Sequence, residues 1–108
     1  MKEDKYMSVE YENFISNIKH CLDLCNKKLL YLKNGGIDEC TIEQLTETII
    51  PELEYILKNI DECNLPPHNK RYLISFAYAF KDWAWNMNDP SELYIQLANL
   101  NNEYNNLS

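Results

Sequence analysis

The chain has 108 residues, 45% of them hydrophobic, and a formal net charge of −7. A chain of this length can bury a core large enough to fold without disulfide or metal staples, so we expect residues 1–108 to form a single domain. The acidic balance disfavours direct nucleic-acid binding, because contact with phosphates needs a basic patch. No apolar signal region follows the first residues, and no run approaches the ~20 apolar residues of a membrane span. The sequence therefore predicts a cytoplasmic protein with no membrane segment.

The first predicted element is a long amphipathic helix. Apolar residues recur at spacings of three and four from Tyr11 to Leu32, which is typical of one helix face. We predict a helix from about Val9 to Lys33, with Ser8 as its N-cap. It should end at residues 34–36, Asn-Gly-Gly, because glycine readily adopts the left-handed conformation that closes a helix.

A second helix is predicted to begin after Thr41. Thr41 and Gln44 have the spacing of a capping box, in which each side chain accepts a hydrogen bond from a free backbone donor. Pro51 removes a backbone donor and crowds the preceding turn, so we expect a kink or a break around Ile49–Ile50. The predicted core face consists of Ile42, Leu45, Ile49, Leu53, Ile56, Leu57 and Ile60.

The most apolar stretch of the chain runs from Arg71 to Trp85. A helix that is apolar on all sides is usually interior, so we predict that this stretch is the central helix, with Pro67 near its start and both faces packed. An alternative leaves part of a Tyr78/Trp85 stripe at the surface, as a partner anchor or as the seam of a homodimer.

The last predicted helix begins at Asp89-Pro90, with Asp89 as N-cap and Pro90 in the first helical position. Its apolar stripe consists of Leu93, Leu97, Leu100 and Tyr104. The whole pattern predicts an all-α, single-domain bundle of about four helices joined by short loops.

The negative charge is concentrated in one segment. Asp38–Glu62 holds eight acidic residues and one lysine, whereas the rest of the chain holds nine acidic and nine basic residues. If the second helix only kinks, an acidic row faces away from its core side, with Ile50 within it. Such a surface favours a basic protein partner, since a patch of one sign steers an oppositely charged surface. A role in solubility alone stays open as the alternative.

No sequence motif indicates a reaction. Cys21 and Cys25 lie four residues apart and could share a zinc ion, but both fall on an apolar stripe, where cysteine usually behaves as a small hydrophobe. The remaining cysteines, Cys40 and Cys63, flank the second helix and should not bridge each other. We therefore expect Cys21 and Cys25 to be buried, all four cysteines to be reduced, no metal or other cofactor, and no enzymatic activity.

The acidic segment 38–62 and the run FAYAFKDWAWN-x-x-x-P-SEL, Phe76 to Leu93, resemble the small acidic immunity proteins of bacterial toxin systems, including contact-dependent growth inhibition. This resemblance implies a stoichiometric inhibitor that covers the basic active cleft of a toxin, often a nuclease, with an acidic surface. Transferred to this chain, it gives a partner-binding set of carboxylates and two apolar anchors, namely Asp38, Glu39, Glu43, Glu47, Glu54 and Asp61 with Ile50 and Trp85.

Two other functions fit the same composition. A helical adaptor or regulatory module would use the carboxylates differently, for instance as a nucleic-acid mimic that places them where phosphates would lie. A self-associating structural domain would leave the acidic segment with no partner other than solvent. Competition with nucleic acid distinguishes the first of these from an inhibitor, and the oligomeric state distinguishes the second.

Overall fold

A computed structural model describes residues 9–107, and within that range the chain is all-α. Helix α1 is Val9–Lys33. The α-helical turn Ile42–Gln44, the π-helical turn Leu45–Ile49 and the α-helix Ile50–Asp61 follow one another without interruption, and we call them together α2. Helices α3 (Ile74–Lys81) and α4 (Glu92–Asn105) complete the bundle, with a 3-10 turn at His68–Lys70 before α3. The predicted fold class is confirmed.

Helix α1 includes Val9, the first described residue, and it ends at Lys33 as predicted and for the predicted reason. The N–H of Gly36 donates to the carbonyl of Tyr31 and the N–H of Gly35 donates to that of Leu32, while Gly35 has a φ of 92°. This pair of bonds around a left-handed residue is the Schellman ending of a helix. Ser8, the predicted N-cap, lies outside the described residues.

Helix α2 kinks but does not break. Its predicted capping box is present, with the Gln44 N–H donating to Thr41 Oγ1 and the Thr41 N–H donating to Gln44 Oε1. Further along the helix, the N–H of Ile50 donates to the carbonyl of Leu45, five residues earlier. In a regular α-helix this bond would span four residues. The π-helical turn immediately precedes Pro51, which has no backbone donor and cannot form the regular bond. The helix therefore absorbs the proline by widening one turn.

The core lies where α1 packs against α2 and α4. The apolar stripe predicted for the last helix is fully buried, with Leu93, Leu97, Leu100 and Tyr104 each at most 3% exposed. Tyr104 stacks on Phe14 of α1, with the ring centroids 5.5 Å apart. Helices α1 and α4 thus occupy the position that the sequence pattern suggested for residues 71–85.

The prediction of a long central helix from Arg71 to Trp85 is wrong. Only Ile74–Lys81 is helical, and of its residues only Ser75 and Ala79 are buried. Ile74, Tyr78 and Phe80 are each more than 40% exposed. A uniformly apolar sequence specifies no single face, so the neighbouring helices decide how much of it is covered. Here α3 lies at the periphery and packs on α4.

Two predicted helix starts also change. Pro67 precedes the 3-10 turn instead of opening α3. Helix α4 begins at Glu92, and its N-cap is Ser91, whose Oγ accepts a hydrogen bond from the Tyr94 N–H, so Asp89-Pro90 lies in the preceding loop. Serine and aspartate are both good N-caps, and the choice between them depends on which one the tertiary structure places at the first turn.

Candidate protein-binding surface

The acidic residues predicted on α2 are exposed. The side chains of Glu43, Glu47, Glu54 and Asp61 all face solvent, and within residues 9–107 none of them forms a hydrogen bond or ion pair. A π turn holds one residue more than an α turn, so it turns all later side chains by about 100° relative to an unbroken α-helix. Glu43 therefore lies before the turn and Glu47 within it, whereas Glu54 and Asp61 follow it, all on the exposed side of α2.

Ile50, predicted as an apolar anchor among these carboxylates, is half-buried and packs against the core. Its accessible part lies just after the π turn. It contributes to the surface next to the carboxylates, but less than a fully exposed isoleucine would.

Two predicted contact residues are used inside the fold. Asp38 forms an ion pair with Lys28, 2.7 Å between Oδ2 and Nζ, and accepts a hydrogen bond from the Cys40 N–H. Burial alone raises the pKa of the Asp38 carboxyl, but the Cys40 N–H and the Lys28 ammonium outweigh it and hold that pKa below its usual range. Glu39 Oε1 accepts a hydrogen bond of 2.9 Å from the Asn86 N–H. Both carboxylates join the loop before α2 to other parts of the chain.

Trp85 is not a surface anchor. Its side chain is 3% exposed, its ring meets Tyr94 edge-on, and its Nε1–H donates to Gln44 Oε1 at 3.3 Å. A buried indole needs a partner for its N–H, and Gln44, the second residue of the α2 capping box, provides one. The residues after α3 leave the helix so that this large ring can enter the core.

Sequence reasoning missed the role of Glu52. Its carboxylate accepts hydrogen bonds from the N–H of Ile74 at 2.6 Å, from the N–H of Ser75 at 2.8 Å and from Ser75 Oγ at 2.6 Å. These are the first, otherwise unpaired donors of α3, and a carboxylate at a helix N-terminus is also favoured by the helix dipole. Glu52 therefore caps a helix that follows it by more than twenty residues, and it is not free for a partner. Nothing in the local sequence of α2 marks it for this role.

An open groove of about 980 Å³ separates α2 from residues 64–78. Its lining includes Tyr55, Tyr72, Tyr78 and Tyr104 together with Pro51, Pro66 and Pro67. Tyr55 is 64%, Tyr72 53% and Tyr78 42% exposed. Tyrosine is among the residues that most often carry the binding energy of protein interfaces. The groove is therefore the part of this surface best suited to hold another molecule.

Two further residues of the lining bear polar groups that could contact a bound molecule. Glu47, one of the predicted contact residues, lines it. Asn59 also lines it, is 6% exposed, and forms no side-chain hydrogen bond with any residue between 9 and 107. Helical spacing could have singled out Asn59 in the sequence. It lies three residues after Ile56, on the core side of α2, where an amide is unusual.

Two of the buried cysteines are poorly suited to nucleophilic chemistry. Cys21, Cys25 and Cys40 are buried and Cys63 is exposed, all as free thiols. A hydrogen bond shared with Cys21, together with burial, raises the pKa of Cys25, and burial raises that of Cys40 to about 12 with help from the charge of Asp38. Thiols with raised pKa values are poor nucleophiles at neutral pH. In the described range, no group of three or more His, Cys, Asp or Glu side chains is arranged to hold a metal ion.

No helix among residues 9–107 has the length and apolar character to cross a bilayer. The chain matches no protein-family model, and neither a curated protein nor a solved structure is significantly similar to it.

Proposed function

We propose that this chain is a protein-binding inhibitor that neutralises a basic toxin, such as a nuclease, by covering its active cleft with the exposed carboxylates of α2. This is the role that the resemblance to bacterial immunity proteins implies, exercised in the cytoplasm and without catalysis. One observation carries the proposal: Glu43, Glu47, Glu54 and Asp61 are exposed and unpaired within residues 9–107, whereas Asp38, Glu39 and Glu52 are used to build the fold.

An acidic helix of this kind favours binding over mere solubility for a physical reason. Carboxylates that only keep a protein dispersed work equally well anywhere on its surface, whereas these are concentrated on one helix next to a tyrosine-lined groove. Charge gives a fast, oriented approach, and aromatic side chains supply contact area once the surfaces meet. The two features together suit a partner with a basic surface.

The test begins with the partner. The tagged chain is used at low salt to capture proteins from its native cells, and a captured basic protein is assayed with and without the purified chain. We expect inhibition at a one-to-one ratio. We also expect association to slow with rising salt, because screening weakens steering between charged surfaces.

Charge reversal then locates the contact. Glu47→Lys with Glu54→Lys should slow association at least tenfold, in keeping with the effect of steering on association rates. Glu12→Lys with Asp89→Lys is the matched control. It changes the net charge by the same amount, but neither of its residues lies on α2. Equal rates for the two double variants would refute the proposed surface. If added nucleic acid releases the captured target, and the chain does not inhibit the activity of that target, the mimic or adaptor is indicated instead.

A further inference from the structure

The groove between α2 and residues 64–78 contains polar groups that the fold does not satisfy. The hydroxyls of Tyr55, Tyr72 and Tyr78 form no hydrogen bond with the described part of the chain, and neither does the side-chain amide of Asn59. For the exposed tyrosines, solvent is a sufficient partner. Asn59 is only 6% exposed, but its side-chain nitrogen and oxygen still reach the solvent of the groove, so a bound molecule would replace water as their partner.

The chemistry of Asn59 indicates what could replace the water at its side chain. A carboxamide offers both a donor and an acceptor, and a peptide group in an extended chain offers the complementary pair. Extended segments are also the usual occupants of grooves lined by aromatic side chains. A polypeptide segment thus matches the lining better than a small apolar molecule would.

The charged groups of the groove favour one kind of side chain on that segment. Three charged residues line the groove, and one of them, Glu52, caps α3. The free charges that remain in the lining are Glu47 and Lys70. Glu47 lies on α2 with the other exposed carboxylates, so the field at this wall attracts a cation.

Arginine suits this wall better than lysine does. Its planar guanidinium stacks on tyrosine rings and pairs with a carboxylate through two parallel bonds, and it is less strongly hydrated than an ammonium group. Lys70 can donate to a backbone carbonyl of the same segment. We therefore propose that the groove binds an extended, arginine-bearing segment of the basic partner, with Asn59 pairing to its backbone and Glu47 to its arginine. The identity of the partner rests on the proposed function, but the groove can be tested without it.

The probes are capped ten-residue peptides in an extended serine–proline background, identical except for a central Arg, Lys, Gln or Glu. They are titrated into the isotope-labelled full chain and followed by nuclear magnetic resonance. We expect the Arg peptide to shift the signals of the Asn59 side-chain amide and of Tyr55, Tyr72 and Tyr78, and to bind about threefold to thirtyfold more tightly than the Gln peptide. Equal affinity for all four peptides, no binding of the Arg peptide at millimolar concentration, or shifts outside the groove only would overturn the proposal.

The variant Asn59→Leu distinguishes an asparagine that binds the segment from one that only stabilises the fold. Because the amide forms no hydrogen bond with the described part of the chain, its removal should leave the unfolding midpoint unchanged or higher, while the Arg peptide binds at least tenfold more weakly. A lower midpoint with unchanged peptide affinity would show that Asn59 serves the fold, against the proposal. Tyr72→Leu should weaken the peptide about fivefold to tenfold. Phe80→Leu is its control, since Phe80 is an aromatic residue of similar exposure outside the groove, 47% against 53% for Tyr72.

The same variants separate this inference from the proposed function. If a captured toxin is inhibited equally by the parent chain and by Asn59→Leu and Tyr72→Leu, and the peptides do not bind, the groove proposal fails while the inhibitor proposal stands. If the Arg peptide binds in the groove as described but no basic partner is inhibited, the inhibitor proposal fails and the groove remains a peptide site.

Discussion

Helix α2 and the segment Arg71–Trp85 were both expected to be long helices, and only α2 is. Helix α2 contains a proline and continues through it, whereas the 71–85 segment contains no proline and is helical only over Ile74–Lys81. Helix-breaking residues therefore do not explain the difference. The two segments differ in how clearly their sequences define one buried face.

In α2, the apolar residues repeat at helical spacing, and a capping box fixes the first turn. Packing and hydrogen bonding then agree, and one widened turn is enough to accommodate Pro51. In residues 71–85, the apolar residues surround the helix, so side chains from elsewhere decide its limits. Asn101 Oδ1 accepts the N–H of Leu73 and Glu52 accepts the next two, which sets the start of α3. The end of the segment is set by the entry of Trp85 into the core.

The largest expected effect comes from removing that anchor. Trp85→Ala deletes a ring that is 3% exposed and leaves Gln44 without the indole donor. Loss of a buried tryptophan typically costs about 3–5 kcal/mol of unfolding free energy. Urea unfolding followed by circular dichroism measures it, with the 64% exposed Tyr55→Ala as a control that should stay within about 0.5 kcal/mol of the parent. A loss below about 1 kcal/mol for Trp85→Ala would mean that Trp85 does not fix the end of the segment.

A smaller effect should follow from weakening the link between the two regions. Glu52→Gln removes the charge from a group that accepts three hydrogen bonds at the start of α3. We expect a loss of about 1–3 kcal/mol, the usual range for hydrogen bonds to charged groups. Hydrogen exchange at the Ile74 and Ser75 amides should accelerate selectively. The neighbouring Glu54→Gln changes the same charge at an exposed, unpaired position and should change neither quantity, and an equal response in both variants would argue against the cap.

The smallest predicted effect is a gain. Ala84 has a φ of 57°, a left-handed conformation that costs residues with a Cβ about 1–2 kcal/mol. Ala84→Gly relieves this strain and should raise the unfolding free energy by about 0.5–1 kcal/mol, after part of the gain is lost to the greater freedom of the unfolded chain. Thermal unfolding of Ala84→Gly measures the effect, and Ala98→Gly is the control for the same exchange without a left-handed residue. The same exchange in the middle of α4 should destabilise by about 1 kcal/mol, and a loss at both positions would contradict the strain at Ala84.

Local pattern predicted those parts of the fold that depend on local interactions. The C-terminal end of α1, the Thr41 capping box, the kink before Pro51 and the stripe of α4 follow from spacing, capping and proline chemistry within a few residues. The limits of α3 depend on Glu52 and Asn101, which are remote in sequence, so no local pattern could give them.

The candidate site divides in the same way. Helical spacing was enough to predict that Glu43, Glu47, Glu54 and Asp61 face away from the core. It could not show that Asp38 and Glu39 pair with Lys28 and with the Asn86 N–H, because those contacts join different parts of the chain. The groove combines α2 with residues 64–78, so it exists only in the folded protein.

The π turn at Leu45–Ile49 determines where α2 can lose one residue and keep its buried face. Deleting one residue from a regular helix turns everything beyond the deletion by about 100° and exchanges buried for exposed side chains. This turn already contains one residue more than an α turn, so losing Thr46 or Glu47 would convert it to α-helix and keep Leu53, Ile56 and Ile60 facing the core. The middle of α2, where a helix is ordinarily least tolerant of deletion, is therefore the place in this helix where the chain can be shortened by one residue.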